Sequence, residues 1–264
     1  MNKKIFFCSD IHGEHQILLD ALAEAGFDEQ NPDHLLVVLG DINDRGFDFL
    51  NLYRYLKELC DDGKAIVTSG NHHLFLIEFL EGNRPSYCHF NYKYNGLNQT
   101  IADLWHRTAP FESWLFENEH KFTPNTTWES AFYDFQQKCA KDINEEYPDL
   151  LPWLKNMPRY FESKNYIGVH ASLDLYAKDW HNPNKKWEDL EFDDGSFICR
   201  KNNTGKTIVV GHFDTGSLRS MWQIDSKDKN DHSILKTDDN EVFIDGCVAL
   251  TKTINVFIVE DELL

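Results

Sequence analysis

Seven side chains able to hold a metal or move a proton stand just after short apolar runs: Asp10, His12, Asp41, Asn71, His72, His170 and His212. A lone histidine after a strand is more often a structural hydrogen-bonding group than a ligand. The same placement after five separate runs, at corresponding ends of one expected sheet, points to a shared site. Imidazoles with carboxylates and one amide oxygen suit manganese, iron, zinc or nickel, whereas magnesium and calcium prefer all-oxygen shells. Asp10, His12, Asp41, Asn71, His170 and His212 offer ligands enough for two ions and too many for one. Two-metal sites hold their ions roughly 3.5 to 4 Å apart and need a bridging carboxylate, an arrangement suited to in-line displacement at phosphorus. Arg45, in the loop Asn43-Asp44-Arg45-Gly46, supplies a planar fork that fits phosphate oxygens.

The elements that must carry these groups follow from hydrophobic periodicity. Residues 5–8, 35–39 and 65–68 read as short buried strands, each followed by polar residues. Gly40 lets the chain turn sharply before Asp41. Between the strands, 14–26 and about 48–60 have helical spacing, closed by Gly26 and by Asp61-Asp62-Gly63. Strand-loop-helix repetition predicts an α/β sheet with its site at the strand ends. From 83 to 150 the β-periodicity disappears and aromatic residues crowd in, which predicts a mostly helical insert packed through those rings. Strands resume at 164–169 and 207–210, delivering His170 and His212. The tail, 241–246 and 253–259, has the alternation of antiparallel strands. Residues 178–196 form a polar, acidic connection, and the charged stretch 225–240 reads as a solvated loop. Within the former, 188–194 also reads as a solvated loop, since it lacks the D-x-D-x-D-G spacing of a calcium site.

Composition narrows the partners. Of 264 residues, 41% are hydrophobic, enough for a sizeable core. Twenty-six Lys and Arg against 44 Asp and Glu give a formal charge of -18, which argues against duplex nucleic acid as a partner. No apolar stretch is long enough for a membrane span or a secretory leader, and a cytoplasmic protein is expected. The six cysteines form no C-x-x-C pair and are expected to be reduced and mostly buried.

Asp10-Ile11-His12-Gly13, Gly40-Asp41-Ile42-Asn43-Asp44-Arg45-Gly46, Gly70-Asn71-His72, Val169-His170-Ala171 and Val210-Gly211-His212 occur in that order. In this the chain resembles the calcineurin-like metallophosphoesterases. The Asp-Arg-Gly ending is similar to the phosphoprotein phosphatase (PPP) branch, which includes bacterial and phage Ser/Thr protein phosphatases and the symmetrical diadenosine tetraphosphatases. Weaker matches are Asn95-Gly96 with Thr100, 154–160, Cys199-Arg200 and Ile244-Asp245-Gly246. The resemblance implies a single domain over 1–264, built as two facing mixed β-sheets flanked by helices, with a helical insert at about 83–150 over the site. It implies that Asp10, His12 and Asp41 bind one ion and that Asp41, Asn71, His170 and His212 bind the other, with Asp41 bridging. Divalent or trivalent first-row ions are implied, manganese being the one expected to support activity in vitro. A hydroxide held between the ions would attack phosphorus, His72 would protonate the leaving oxygen, and Asp44 would orient His72. Arg45 and Arg200 would hold phosphoryl oxygens.

The substrate expected first is a phosphomonoester, with a phosphoprotein as its leading form. The alternatives are a dinucleoside polyphosphate and, in a different class, a metal-bound but inactive regulatory protein. Three positions depart from the family pattern: His73 for the usual Glu or Asp, Ser172 for the usual Gly, and Phe213 for the usual Thr. They suggest an altered rim to the site.

Overall fold

In a computed structural model covering residues 2–123, 125–192, 197–224 and 230–264, the first three strands are parallel neighbours. They are β1 (Asn2–Ser9), β2 (His34–Leu39) and β3 (Ala65–Thr68). The connecting helices are α1 (His15–Ala25) and α2 (Phe49–Asp61), and α1 stops at Gly26 in the left-handed conformation. All five elements lie within a few residues of their expected bounds.

Side-chain alternation sorts the strands into layers. Phe6, Cys8, Leu36, Val38 and Val67 face the helices on one side. Ile5, Phe7, Leu35, Val37 and Leu39 face the opposite way, onto Phe161, Val209, Val242 and Ile244 of a second sheet. The strands are therefore buried on both faces, which is why they read as continuous apolar runs.

The second sheet contains β4 (Tyr160–Glu162), β5 (Tyr166–Val169), β6 (Thr207–Val210), β7 (Leu235–Lys236) and β8 (Glu241–Phe243), in the order β4-β5-β6-β8-β7. β5, β6 and β8 are parallel, while β4 and β7 run antiparallel at the edges. The last strand, β9 (Phe257–Glu262), returns to the first sheet beside β1, giving the order β3-β2-β1-β9. These are the two facing mixed sheets flanked by helices that the resemblance implied, with the site-bearing strands divided between them. The tail strands take antiparallel neighbours as expected, β8 beside β7 and β9 beside β1, and β8 also joins β6 in parallel.

Between 83 and 150 the chain is helical. α3 (Asn71–Leu80) is followed by α4 (Pro85–Tyr94), α5 (Leu97–Leu104), α6 (Pro110–Asn118) and α7 (Trp128–Glu146), then by α8 (Leu150–Lys155). Their aromatic residues pack as expected. Phe132 and Phe135 lie 5.1 and 5.2 Å from the Phe111 ring, with Tyr92 within 6 Å of both. The fully buried Gln136 donates from Nε2 to the carbonyls of Phe79 and Asn83, tying α7 to the end of α3. Phe90, Tyr94, Phe116, Trp128 and Tyr133 stay exposed.

The acidic connection is not wholly a loop. It contains α9 (Trp187–Phe192), in which Leu190 and Glu191 are buried; its residues 193–196 lie outside the described residues. Beyond β6 come α10 (Thr215–Met221) and α11 (Val248–Thr251), and 225–229 of the charged stretch again lie outside the described residues. Cys8, Cys88 and Cys139 are buried free thiols, Cys60 and Cys247 are half-buried, and Cys199 is exposed. Among the described residues no helix is long and apolar enough to cross a membrane.

Glu241, at the start of β8, is 4% exposed, and its Oε1 is buried without a partner. Burial pushes its carboxyl up to about 7, with the nearby Asp239 charge adding to the effect. The sign follows from linkage. The folded state favours the proton, so this contribution is fully present below the ordinary carboxyl range and is lost as pH rises through about 7. Glu241→Gln, which never ionises, should leave the unfolding midpoint unchanged near pH 4. At pH 8 it should stabilise the protein by about 1–2 kcal/mol. Equal denaturation midpoints for the two proteins at pH 8 would show that the charge costs nothing in the fold.

Candidate metal centre

The carboxyl ends of β1, β2, β3, β5 and β6 open on one region, and each supplies a polar residue. Several of the backbones there are strained. Asp10, His12, Asp41, Asp44, Arg45 and His212 all have positive φ, between 44° and 71°, a region that costs non-glycine residues energy and is concentrated at functional sites. Glycines provide the close approaches. A Cβ on Gly40 would lie 2.5 Å from the His170 ring, and one on Gly70 would lie 2.5 Å from the Asp41 carboxylate. No side chain larger than hydrogen fits at either position.

Asp41 is at the centre. His12, Asp41 and His72 form one group with ligand atoms within 4.8 Å of one another; Asp41, His170 and His212 form a second. Asp41 belongs to both. Its Oδ1 accepts from the His72 backbone N–H (3.0 Å) and lies 3.3 Å from His170 Nε2. The Asn71 amide oxygen is 2.8 Å from the same His170 nitrogen. Asp10 approaches from β1, where its Oδ2 accepts from the His212 backbone N–H at 2.9 Å. Asp10 is thus near the second group, whereas His72 stands with His12 in the first.

The buried charges offset one another. Burial pushes Asp41 up, but His170, then His72, outweigh it and hold the carboxyl well below the ordinary range. Burial alone would lower His170; Asp41 and Asp10 more than reverse that and raise it to about 10. Asp10 is raised, by burial first. Burial and the His170 charge lower His212 to about 4, and burial with the His72 charge keeps His12 well below its usual value.

The donor set fits metal ions. A ligating histidine commonly donates its second ring N–H to a backbone carbonyl, which sets the tautomer and aims the other nitrogen. His12 pairs through Nδ1 with the Asn43 carbonyl (2.9 Å) and His170 through Nδ1 with the Leu39 carbonyl (3.0 Å). His212 Nδ1 faces His170 Nε2 at 3.2 Å. His12 and His170 therefore each have one nitrogen tied to the fold and the other turned into the cluster. Buried, strained and rich in carboxylate and imidazole, the site matches a pair of first-row divalent cations.

His72 and Asp44 form a separate dyad. His72 Nδ1 is 2.7 Å from Asp44 Oδ2. Asp44 is held in turn by Thr100 of α5, whose Oγ1 donates to Oδ1 (2.9 Å) and accepts from the Asp44 backbone N–H (2.7 Å). Arg45 donates from Nη1 to His12 Nε2 (3.0 Å) and from Nη2 to His72 Nε2 (3.1 Å), and its backbone N–H reaches the Gly96 carbonyl (3.2 Å). Both imidazoles thus accept from one exposed guanidinium.

The profile of the calcineurin-like phosphoesterases matches residues 3–222 of this chain. The chain belongs to that family. It is a metal-dependent phosphoester hydrolase with the two-sheet sandwich of its relatives. A symmetrical bis(5'-nucleosyl)-tetraphosphatase of Klebsiella pneumoniae is 26% identical over 208 residues, 66% of this chain and 69% of the relative. An asymmetrical one from Bacillus velezensis, PrpE, is 28% identical over 102 residues, 36% of this chain and only 39% of the relative. The crystal structure of a candidate diadenosine tetraphosphatase superposes with a TM-score of 0.55 at 15% identity, covering 99% of this chain and 94% of that one, which is a likeness of fold.

The phosphoesterase brings together nine of the ten residues singled out from the sequence. Arg200 is elsewhere: its guanidinium lies 3.8 Å from the centroid of the Tyr176 ring, and it lines a cavity with Trp222, Thr237 and Asp239. It follows a 3₁₀ turn at 197–199. Reasoning from sequence missed Ser69, Arg159 and Glu191. Ser69 Oγ and Arg159 Nη1 both donate to Glu191 Oε1, beside His73, whose Nδ1 accepts from Gly70 N–H at 2.9 Å. The one local hint was a single acid flanked by apolar residues in Leu190-Glu191-Phe192.

Proposed function

We propose that the chain hydrolyses phosphomonoesters at a dinuclear centre held by Asp10, His12, Asp41, Asn71, His170 and His212. The supporting observation is that two His/Asp groups share the carboxylate of Asp41, as a bridging ligand requires. When bound, the two cations supply Lewis-acid charge to the phosphoryl oxygens and acidify the attacking water.

The protein's own groups do the rest. Arg45 is the only guanidinium among the described residues bonded to the cluster histidines, and the oxygens of a phosphoryl group compete with both imidazoles for it. Transfer of Arg45 to those oxygens frees His72 Nε2 to carry a proton to the leaving oxygen. Asp44 keeps the proton of His72 on Nδ1 and stabilises the ring while it is cationic, and Thr100 keeps Asp44 in place. Helix α5, through Thr100 and Gly96, thereby ties the 83–150 segment to the catalytic loop, and we read that segment as an insert bordering the entrance.

A phosphorylated Ser or Thr side chain is the leading substrate. A dinucleoside tetraphosphate is the second, favoured by the tetraphosphatases that match this chain over two thirds of its length. Manganese-loaded protein should be assayed in parallel on phosphoserine peptides and on diadenosine tetraphosphate. Phosphate release from the peptides alone supports the first reading, and two nucleoside diphosphates per tetraphosphate support the second. Turnover of neither, together with none of p-nitrophenyl phosphate between pH 6 and 9, would overturn both.

A further inference from the structure

Three consecutive residues of the loop after β2 take hold of His72 at three different atoms. Asn43 Nδ2 donates to the His72 carbonyl (3.0 Å), Asp44 Oδ2 lies 2.7 Å from Nδ1, and Arg45 Nη2 donates to Nε2 (3.1 Å). Asp44 and Arg45 act on the proton and the phosphoryl group. The Asn43 amide does neither.

Packing does not account for that amide. Asn43 is 0% exposed, and among the described residues its Oδ1 is buried without a partner. An amide oxygen taken out of water and left unpaired weakens a fold, whereas an apolar side chain of the same shape does not. Nor does the backbone of His72 need the bond. His72 is the second residue of α3, so its carbonyl already accepts from the helical N–H four residues on, and Asn43 Nδ2 takes the second lone pair.

The main chain of Asn43 serves the other histidine of the same group, its carbonyl lying 2.9 Å from His12 Nδ1. One residue thus holds His12 by the ring and His72 by the backbone. The two rings stand 4.8 Å apart, edge to face, and both Nε2 atoms turn to the Arg45 guanidinium, at 3.0 and 3.1 Å.

We propose that Asn43 is a positioning residue that fixes His72, as proton donor, at a set distance from the first His/Asp group. The other hold on the His72 backbone is Asp41 Oδ1, which accepts its N–H at 3.0 Å. That carboxylate is shared by both His/Asp groups, and Arg45 is drawn to the phosphoryl oxygens. Asn43 is therefore the hold for which neither cation nor phosphate competes. Asp44, kept in place by Thr100 (2.9 Å), sets the direction of the ring. Asn43 sets the point from which the ring projects, so that Nε2 meets the leaving oxygen. The proposal rests on the reading of His72 as the acid.

The test compares wild type with Asn43→Leu, which keeps the branching of the side chain and removes the donor. Asn43→Ala removes the donor with less bulk and serves if the Leu variant does not fold. With the manganese-loaded full chain, kcat on a phosphoserine peptide should fall about 10- to 100-fold with KM within about twofold of wild type. On p-nitrophenyl phosphate, whose leaving oxygen needs little protonation, the loss should be much smaller. Added to His72→Asn, the Asn43 substitution should cost nothing further, because both act on one step. In the metal-free full chain labelled with 15N at histidine, the His72 ring resonances should move while those of His170 stay. Equal losses on both substrates, losses that add to those of His72→Asn, or unmoved His72 resonances would overturn the role given to Asn43. A wild type inactive on every phosphoester would overturn the proposed substrate chemistry, while the 15N spectra would still report on the Asn43 hold, so the two readings fail separately.

Discussion

Replacing Asp41 with Asn is expected to lower phosphoester hydrolysis by ~10³-fold or more, about 4 kcal/mol in the barrier, and to reduce the bound metal from two ions per chain toward one. The substitution preserves size and one oxygen but removes the charge shared by both His/Asp groups. It also leaves an amide N–H₂ facing rings that now meet a carboxylate, with His170 Nε2 at 3.3 Å and His72 Nε2 at 3.8 Å. Buried imidazoles at that spacing repel as they protonate, and the anion between them is what offsets the repulsion. Metal content by mass spectrometry and kcat on p-nitrophenyl phosphate measure the two effects independently. Full occupancy of both sites in Asp41→Asn, with activity within tenfold of wild type, would remove Asp41 from its bridging role and the dinuclear reading with it.

The second large effect concerns His72. A proton donor matters in proportion to the basicity of the leaving oxygen. His72→Asn should therefore lower kcat by about 10²–10⁴-fold on an alkyl or seryl phosphate, while p-nitrophenyl phosphate, whose leaving oxygen needs little protonation, loses much less. Asp44→Asn should show the same leaving-group dependence with a smaller loss, because it disturbs the Nδ1 contact at 2.7 Å without removing the ring. Equal losses on both substrates would show that His72 serves the metal group it stands in, with His12 and Asp41, and not the leaving group.

Much of the site was legible before any coordinates. Strands buried on both faces appear as uninterrupted apolar runs, and the polar residues at their ends gather into two His/Asp groups that share Asp41. The left-handed backbone at Asp10, His12, Asp41, Asp44, Arg45 and His212 is a local property too. Its trace in the sequence is the glycine beside several of these residues and the preference of Asp and His for that region.

Arg200 was matched by order along the chain, which does not fix where a side chain points, and its guanidinium lies against the Tyr176 ring. Glu191 was passed over because an acid in an acidic stretch is ordinarily solvated. Its burial depends on Ser69, Arg159 and Ser172, each contributed by a different part of the chain.

The sequence by itself determined the strand-loop units, the ligand types they deliver and the chemistry those ligands support, because periodicity and residue type are local. Only the tertiary structure decided which strands share a sheet, with β5, β6 and β8 together and β9 beside β1, and that α9 buries Glu191 against Ser69 and Arg159. Alternation of period two tells a strand which of its faces is apolar but not which sheet will cover it. That choice was made by Ile5, Phe7, Leu35 and Val37 packing onto Val209, Val242 and Ile244, and the same packing brings the strand ends, with Asp41 between them, into one site.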